Sequence, residues 1–404
     1  MKNGKRITKN IFLSALALFT FHFSLFTIQA QIAVKGETVW TMAGEPINNG
    51  VVLINRGKIE AVGTANQIKI PADYKILTAK VVTPGLIDAH SVVGLAGYMN
   101  QPHDQMQIET SAPMQPELRA IDGYNAEDRL IEWLRSFGIT TIHTGHAPAA
   151  LVSGQTMIAK TFGKEVEDAV IVPMAMISVT LGESGLASGG KSPGTVSKAA
   201  AMLRAELIKA QGAKPDAPKD LRVEMWKQVL NREIRLLVTA HKARDIMTAL
   251  RIAKEFNIKI VLDGASEAQT VISEIKASGF PVIVHPTMFR AGGETESLSL
   301  ETASKLKKAG ISFALQSGYE IYVPKTRVVL FEAAAAAANG LSQKDALAAV
   351  TIDAARILGI DNRVGSIEKG KDADLAMFDG DPFEYTTHCT GTIINGQIVS
   401  EIVR

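Results

Sequence analysis

Cysteine is almost absent from this sequence: Cys389 is the single cysteine among 404 residues. An intrachain disulfide is therefore excluded, and the folded chain must be stabilised by the burial of apolar side chains. Internal repeats, low-complexity tracts and runs of like charge are lacking as well. The sequence thus predicts an ordinary globular protein of more than one structural unit, because its length exceeds what one common core holds.

The first thirty residues contain four basic side chains and no acidic one. An apolar stretch from Ile11 to Ile28 follows, and Gln29-Ala30 end the segment. This order is typical of a secretory signal peptide, while a single membrane anchor is the alternative because the apolar stretch approaches the length of a spanning helix. We expect residues 1–30 to be cleaved and the protein to be exported, either to the periplasm or as a secreted protein.

A charge excess of either sign is also absent. The formal net charge is +2, and loss of the four basic residues before position 30 changes it to −2. At that charge no basic surface for nucleic acid is expected, and no membrane attachment is expected once the signal segment is removed. A small-molecule substrate or ligand is the expected partner, and a homo-oligomer stays open.

Both ends of the remaining chain have the pattern of antiparallel strands. From Ile32 to Ile76, short β-branched runs alternate with Asn- and Gly-containing turns, and a hairpin turn is predicted at Asn395-Gly396. Two all-β segments that enclose a mixed middle are most simply one domain. We therefore predict a small β-sandwich built from residues 31–80 and 363–404.

The middle of the chain, residues 81–362, alternates apolar runs with helical patterns. This alternation is typical of βαβ units and a parallel sheet. Eight candidate strands predict a (β/α)8 TIM barrel, an α/β fold whose active site is built by the loops after the strands. The Gly- and Ser-rich loop from Gly182 to Pro193 is a candidate lid. The strands are predicted at 82–89, 140–144, 157–160, 170–176, 236–240, 258–262, 281–284 and 311–315.

Two motifs resemble a known family. The run Val82-Thr-Pro-Gly-Leu-Ile-Asp-Ala-His90 is similar to the strand 1 signature of the amidohydrolase superfamily, especially its imidazolonepropionase-like group. Near the other end, Val364 to Leu375 (VGSIEKGKDADL) resembles the stretch by which those proteins re-enter their β-sandwich. The resemblance covers almost all of the chain after the signal segment and implies the same barrel-plus-sandwich fold.

The resemblance also implies a chemistry. Members of this superfamily use one or two divalent metals to lower the pKa of a bound water, which then attacks the substrate as hydroxide. The usual ligands are a His-x-His pair after strand 1, sometimes a carboxylated Lys after strand 4, a His after each of strands 5 and 6, and an Asp after strand 8. That Asp also acts as the general base.

This chain keeps only part of that set. His90 and His241 match the first His of the pair and the strand 5 ligand, but Val92 occupies the second His position. Asp263 stands where the strand 6 His is expected, and a carboxylate could still bind zinc or manganese. Gln316 takes the place of the strand 8 Asp, and a neutral amide cannot accept the proton.

The strand 4 position departs as well, because Ser178 stands where relatives carry Lys. Further histidines follow other predicted strands: His143 and His146 after strand 2, and His285 after strand 7. With His90 and His241 they could rebuild a site for one divalent metal, most simply zinc, or they could hydrogen-bond within loops and line a ligand pocket. Lys160, at the end of strand 3, is expected in a buried ion pair.

Two functions are consistent with these residues. The first is an amidohydrolase-like hydrolase that acts on a carbon–nitrogen bond, other than a peptide bond, of a small molecule. Asp263 or His285 would then replace the missing base. The alternative is a catalytically inactive homologue that kept the fold as a binding or partner protein. The sequence leaves enzyme activity undecided.

Overall fold

The structure is a computed structural model that describes residues 31–214, 216, 218–319 and 328–404. The predicted signal peptide at residues 1–30 lies outside the described residues. Across the described ranges, no helix combines the length and the apolar character that a bilayer crossing requires.

Strands and helices alternate through the middle of the chain, and strands alone occupy its two ends. The strands are β1 Ile32–Val39, β2 Ile47–Asn55, β3 Lys58–Thr64, β4 Lys75–Pro84, β5 Leu86–Ser91, β6 Ile139–Thr144, β7 Val152–Gln155, β8 Met157–Lys160, β9 Val170–Val172, β10 Met176–Thr180, β11 Arg235–Ala240, β12 Ile260–Gly264, β13 Val282–Val284, β14 Phe313–Ala314, β15 Leu375–Phe378, β16 Cys389–Ile394 and β17 Gln397–Ser400. The helices are α1 Arg129–Arg135, α2 Val166–Ala169, α3 Val196–Gln211, α4 Leu221–Leu230, α5 Ala243–Phe256, α6 Ile272–Ser278, α7 Thr302–Ala309, α8 Val329–Ala338, α9 Gln343–Ala349 and α10 Ile352–Leu358.

Strands from both chain ends form one seven-stranded sheet, in the order β17-β16-β15-β4-β1-β2-β3. Asn395 and Gly396 join β16 to β17 with φ angles of 49° and 73°. Two successive positive φ angles are what the tight hairpin turn predicted there requires. Both ends thus contribute strands to one sheet, and its folding into a β-sandwich stays a prediction.

The central strands form a six-stranded sheet, β14-β13-β12-β11-β10-β7, and a four-stranded sheet, β5-β6-β8-β9. Strands β10 to β14 are parallel to one another, and β5 is parallel to β6. Strands β5, β6, β10 and β12 are buried at every residue. Burial along the whole strand is expected where helices cover the outer side of a parallel sheet and side chains fill the inner side. The arrangement is a TIM-barrel-like α/β fold.

Backbone hydrogen bonds link these two sheets at two places. Thr156, between β7 and β8, donates its N–H to Met176 O over 2.9 Å and accepts from Ala175 N over 2.8 Å. On the other side, the N–H of Ala89 donates to Leu315 O over 3.3 Å, beside a parallel bridge between Ser91 and Gly318. The segment after β14 is therefore held against the end of β5.

Two strand predictions need correction. The strand predicted at 170–176 is the short, half-exposed edge strand β9, and the fully buried strand is β10, four residues later than β9 ends. The strand predicted at 157–160 exists as β8, but it pairs antiparallel with β6, and β7 pairs antiparallel with β10. An apolar run shows that a strand is buried, but not in which direction it runs.

Gly85 connects the terminal sheet to the first central strand. A Cβ at this position would lie 2.2 Å from Oγ1 of Thr140 in β6. Because such an approach is impossible for any side chain, the glycine of the Val82–His90 motif lets β5 pack directly against β6. This contact fixes the position from which His90 projects.

Candidate active site

The strands carry two successive layers of inward-facing side chains. An apolar layer is one connected cluster that includes Met176, Leu237, Val261, Ile283 and Ala314. Because side chains alternate along a strand, residues two positions further face the same way. In the parallel strands this second, polar layer lies nearer the carboxyl ends and consists of Ser178, Thr239, Asp263, His285 and Gln316.

Asp263 is the centre of the polar layer. Its Oδ1 lies 2.9 Å from Nδ1 of His90 and accepts a hydrogen bond of 2.9 Å from Nε2 of Gln316. Its Oδ2 accepts a 2.7 Å hydrogen bond from Oγ1 of Thr239. Burial alone would raise the pKa of Asp263, but the adjacent His90 ring and these three hydrogen bonds together lower it. The carboxylate is therefore held ionised although it is fully buried.

His90 has one occupied and one free ring nitrogen. Nδ1 faces the carboxylate of Asp263, whereas Nε2 is buried without a hydrogen-bond partner in the described structure. Oε1 of Gln316 is buried and unpartnered in the same way. Two buried polar atoms without hydrogen-bond partners thus lie beside one ionised carboxylate.

Asp88 holds the backbone of His90 and Ser317 in place by hydrogen bonds. It accepts hydrogen bonds from the N–H and Oγ of Ser317 and, over 3.3 Å, from the N–H of His90. Burial raises the pKa of Asp88 to about 6, against the lowering effect of these hydrogen bonds. Asp88 therefore ties the end of β5 to the segment after β14. The sequence reasoning missed this role, although Asp88 belongs to the motif that contains His90.

Both ring nitrogens of His143 are engaged within the protein. Nδ1 lies 2.7 Å from Ala89 O, and Nε2 lies 2.7 Å from Oγ1 of Thr156. Burial, together with the neighbouring His90, lowers the pKa of His143 to about 3. His143 is a neutral, hydrogen-bonded residue with its ring centroid 5.8 Å from that of His90.

His241 is held on both sides as well. Nδ1 lies 2.8 Å from Oγ of Ser266, and Nε2 lies 3.1 Å from the hydroxyl of Tyr319. Burial lowers the pKa of His241. Gly264 leaves room for the His241 ring, because a Cβ at position 264 would lie 2.5 Å from Cε1 of His241. The φ angle of Gly264, +73°, is also in the left-handed region that favours glycine.

The two remaining candidate histidines are His285, which belongs to the polar layer, and His146. His285 lies with Nδ1 2.9 Å from Pro286 O and Nε2 3.3 Å from Oγ1 of Thr302, and burial lowers its pKa to about 4. His146 lies beside Gly154 of β7, where burial lowers its pKa and leaves Nδ1 unpartnered. Lys160 forms the predicted buried ion pair, with Asp372 at 3.2 Å and with Asp374.

A cavity of about 570 Å³ opens beside this cluster. His241 and Tyr319 line it together with Glu183, Glu294 and Phe289. The Tyr319 ring lies 5.2 Å from the His90 ring, so Tyr319 stands between His90 and the cavity. A larger groove of about 900 Å³ lies on the terminal sheet, but none of the candidate site residues lines it. Of these two cavities, only the one at His241 is lined by a candidate site residue.

Glu294 joins two loops over that cavity. Its carboxylate accepts hydrogen bonds from the N–H of Glu183 over 2.7 Å and from Oγ of Ser184 over 2.9 Å. The first residues of the predicted lid, Gly182 to Pro193, are thus anchored at the cavity wall. That this loop opens and closes stays a prediction.

The residues present do not fit a divalent metal as they are arranged. Asp263, His143 and His241 direct their donor atoms to protein partners, and the family's remaining ligand positions hold Val92, Ser178 and Gln316. In the described residues, no three His, Cys, Asp or Glu side chains converge as metal ligands would. In the described residues, His90, His241, His143, His146 and Asp263 do not converge as one set of ligands, and zinc binding by them stays a prediction.

Comparison with known proteins places the fold in a family. The Amidohydrolase family profile matches residues 196–399. An amidohydrolase from Thermotoga maritima has a solved structure that matches with a TM-score of 0.85 and 30% identity, over 92% of this chain and 100% of that one. The chain belongs to the amidohydrolase family.

Within the family, the chain is similar to the imidazolonepropionases. The enzyme of that name from Fusobacterium nucleatum is 24% identical over 398 residues, which cover 87% of this chain and 92% of the relative. A zinc-bound adenosine deaminase from Xanthomonas campestris shares the fold, with a TM-score of 0.54 and 14% identity over 91% of this chain and 92% of that one. The resemblance deduced from the Val82–His90 motif is thus confirmed.

Proposed function

We propose that this protein hydrolyses a carbon–nitrogen bond, other than a peptide bond, in a small molecule that binds in the cavity at His241. Family membership supports hydrolysis of this bond type. The observation that carries the proposal is the buried His90–Asp263 pair, at 2.9 Å, at the carboxyl ends of β5 and β12. Catalytic groups of TIM-barrel-like enzymes lie at this end of the strands.

The proposal includes the complete architecture. The central strands close into a barrel of the (β/α)8 type, in which the β7–β8 segment runs antiparallel, through Thr156 on one side and the Ser91–Gly318 bridge on the other. The terminal sheet forms the small β-domain. Closure supports the function because it brings residues of β5, β11, β12 and β14 to one point.

The cavity supports a small substrate. Its volume of about 570 Å³ is within the range usual for small-molecule sites. Phe289 offers an apolar surface, and His241 and the Tyr319 hydroxyl offer polar contacts that could orient an amide or imide group. No step of the proposal passes through a metal, since the ligand set does not fit one.

The test is a screen of small cyclic amides and N-acyl compounds with three proteins: the full chain, His90→Ala and His388→Ala. His388 is an exposed histidine paired with Asp379 and serves as the matched control. Loss of a general base lowers turnover by about 10²- to 10⁴-fold, so His90→Ala should lose activity to that extent and His388→Ala should keep it. Activity that survives in His90→Ala would contradict the assignment.

One observation favours a second function, that of an inactive binding homologue. Gln316 places a neutral amide where the family's base stands, and it uses that amide to hold Asp263. If no compound is turned over while thermal stability rises with one of them, the chain binds that compound without hydrolysing it. Binding to a partner protein would instead appear as co-purification from the native host.

Location and assembly belong to the proposal too. We propose export, guided by residues 1–30, to the periplasm or the medium, and a homo-oligomeric state is open to test. Cell fractionation with an antibody would show where the protein resides, and mass spectrometry of its N-terminus would show whether cleavage follows Ala30. Light scattering of the purified protein would give its oligomeric state.

A further inference from the structure

We infer that the site is a metal-independent dyad of His90 and Asp263, with a hydrogen bond from Gln316 to the Asp263 carboxylate. This inference rests on the proposed function and deepens it. In such a dyad Asp263 keeps the proton of His90 on Nδ1, and Nε2 is left as the atom that accepts a proton from water. The polar layer is then a rebuilt site, different from the family's metal centre.

The hydrogen bonds around Asp263 carry the inference. Asp263 Oδ1 accepts from His90 and from Gln316, and Oδ2 accepts from Thr239. A carboxylate that also bound a divalent cation would have to give up at least one of these donors. Each of these donors stabilises a buried charge, so replacing one of them by a cation would be costly.

The side chain of Gln316 is compatible with an ionised carboxylate at position 263. An Asp at that position, as the family has, would place a second carboxylate in the same buried layer as Asp263, and two neighbouring buried carboxylates repel each other. The amide of Gln316 instead donates through Nε2, at 2.9 Å from Asp263 Oδ1 and 3.4 Å from Ile283 O. The amide therefore belongs with an Asp at position 263.

The reaction balances without a co-reactant other than water. Nε2 of His90 takes a proton from a water molecule while the water oxygen forms a bond to the substrate carbonyl carbon. The carbon–nitrogen bond then breaks, and the nitrogen receives the proton back from Nε2. One water is consumed, and the products are a carboxylic acid and an amine. Tyr319, which lies between His90 and the cavity, must rotate to admit the substrate.

The test has a readout that needs no substrate. The full chain is expressed with ¹⁵N-labelled histidine, without chelator, then incubated with excess Zn²⁺ and desalted. We expect elemental analysis to find far less than one zinc per chain. We expect the His90 resonances, assigned by their loss in His90→Gln, to show the tautomer protonated at Nδ1. Asp263→Ala should abolish this preference, and Asp379→Ala, which alters the exposed His388 pair, should not.

The outcomes separate the two proposals. Stoichiometric zinc that is lost in Asp263→Ala, or a His90 protonated at Nε2 in the full chain, would overturn the dyad whether or not any amide is hydrolysed. The expected tautomer without metal and without turnover would support the dyad geometry but refute the proposed function. Should Asp263→Ala fail to fold, the zinc content and the His90 tautomer of the unaltered chain still decide the matter.

Discussion

The apolar layer and the polar layer inside the central strands lie two residues apart along each strand, yet different interactions stabilise them. Leu237 and Val261 belong to a cluster of buried apolar side chains, whereas Thr239 and Asp263, on the same strands, are held by directed hydrogen bonds. The apolar layer stabilises through buried area, which tolerates changes of shape. The polar layer depends on each donor meeting its acceptor, so single atoms matter there.

The largest expected effect breaks the apolar layer. Leu237→Ala removes a fully buried side chain and leaves a cavity, which should lower the free energy of unfolding by roughly 2–5 kcal/mol. Urea unfolding followed by fluorescence measures this change. Leu221→Ala is the control, because Leu221 is 69% exposed and should change stability little. Equal losses in the two variants would show that burial does not distinguish them.

The next effect is a pH dependence in the polar layer. Burial lowers the pKa of His285 from 6.5 to about 4, so between those values the unfolded chain binds a proton that the folded chain does not. The free energy of unfolding therefore keeps this contribution above pH 6.5. As the pH falls from 6.5 to 4, it decreases by about 3 kcal/mol. Unfolding measured from pH 7 to pH 4 should show a smaller decrease for His285→Gln than for the full chain. The same decrease in both would refute the assignment.

A smaller effect should separate two buried threonines. Thr239→Val removes the hydroxyl that donates to Asp263 and should cost roughly 1–3 kcal/mol. Thr141→Val is the matched control in β6, since the Thr141 hydroxyl is buried without a hydrogen-bond partner in the described structure. We expect that control to be neutral or stabilising. Calorimetric unfolding of both variants makes the comparison, and a larger loss for Thr141→Val would contradict it.

The smallest expected effect lies outside both layers, at the N-terminus of α9, and gives a reference value for the loss of one hydrogen bond. Ser342 caps α9 by accepting a 3.1 Å hydrogen bond from the N–H of Asp345. Ser342→Ala should lower the unfolding free energy by about 1 kcal/mol, a typical value for an N-cap. A Ser342→Thr variant keeps the hydroxyl and should retain most of the stability, as measured by the urea midpoint. A loss in Ser342→Thr as large as in Ser342→Ala would show that the cap bond contributes little.

Local patterns made much of the fold predictable. The Val82–His90 motif predicted one strand at 82–89 where the structure has the end of β4 and the first residues of β5, and apolar runs located β11 and β12 to within two residues. The helix α4 was missed, although Asp220 caps it and the buried residues Val223, Trp226 and Val229 recur every three positions. That signal was available in the sequence.

The site was less predictable because its contacts join distant parts of the chain. Asp88 meets Ser317 across 229 residues, and Asp263 meets Gln316 across 53. The family's ligand positions indicated which residues differ in this chain. They did not indicate that Gln316 and Asp263 form a hydrogen bond with each other. Tyr319 was overlooked for the same reason, because nothing near it in the sequence indicates that it meets His241.

The reversed segment β7–β8 has a consequence for how the chain reaches its folded state. Because that segment runs antiparallel to its neighbours, its pairings are local: Thr156 contacts His143 and Met176, 13 and 20 residues away. The contact of Asp88 with Ser317 closes a loop more than ten times longer, at roughly 2 kcal/mol more chain entropy. Residues 139–180 should therefore acquire hydrogen-exchange protection early in refolding, and the end of β5 should acquire it last.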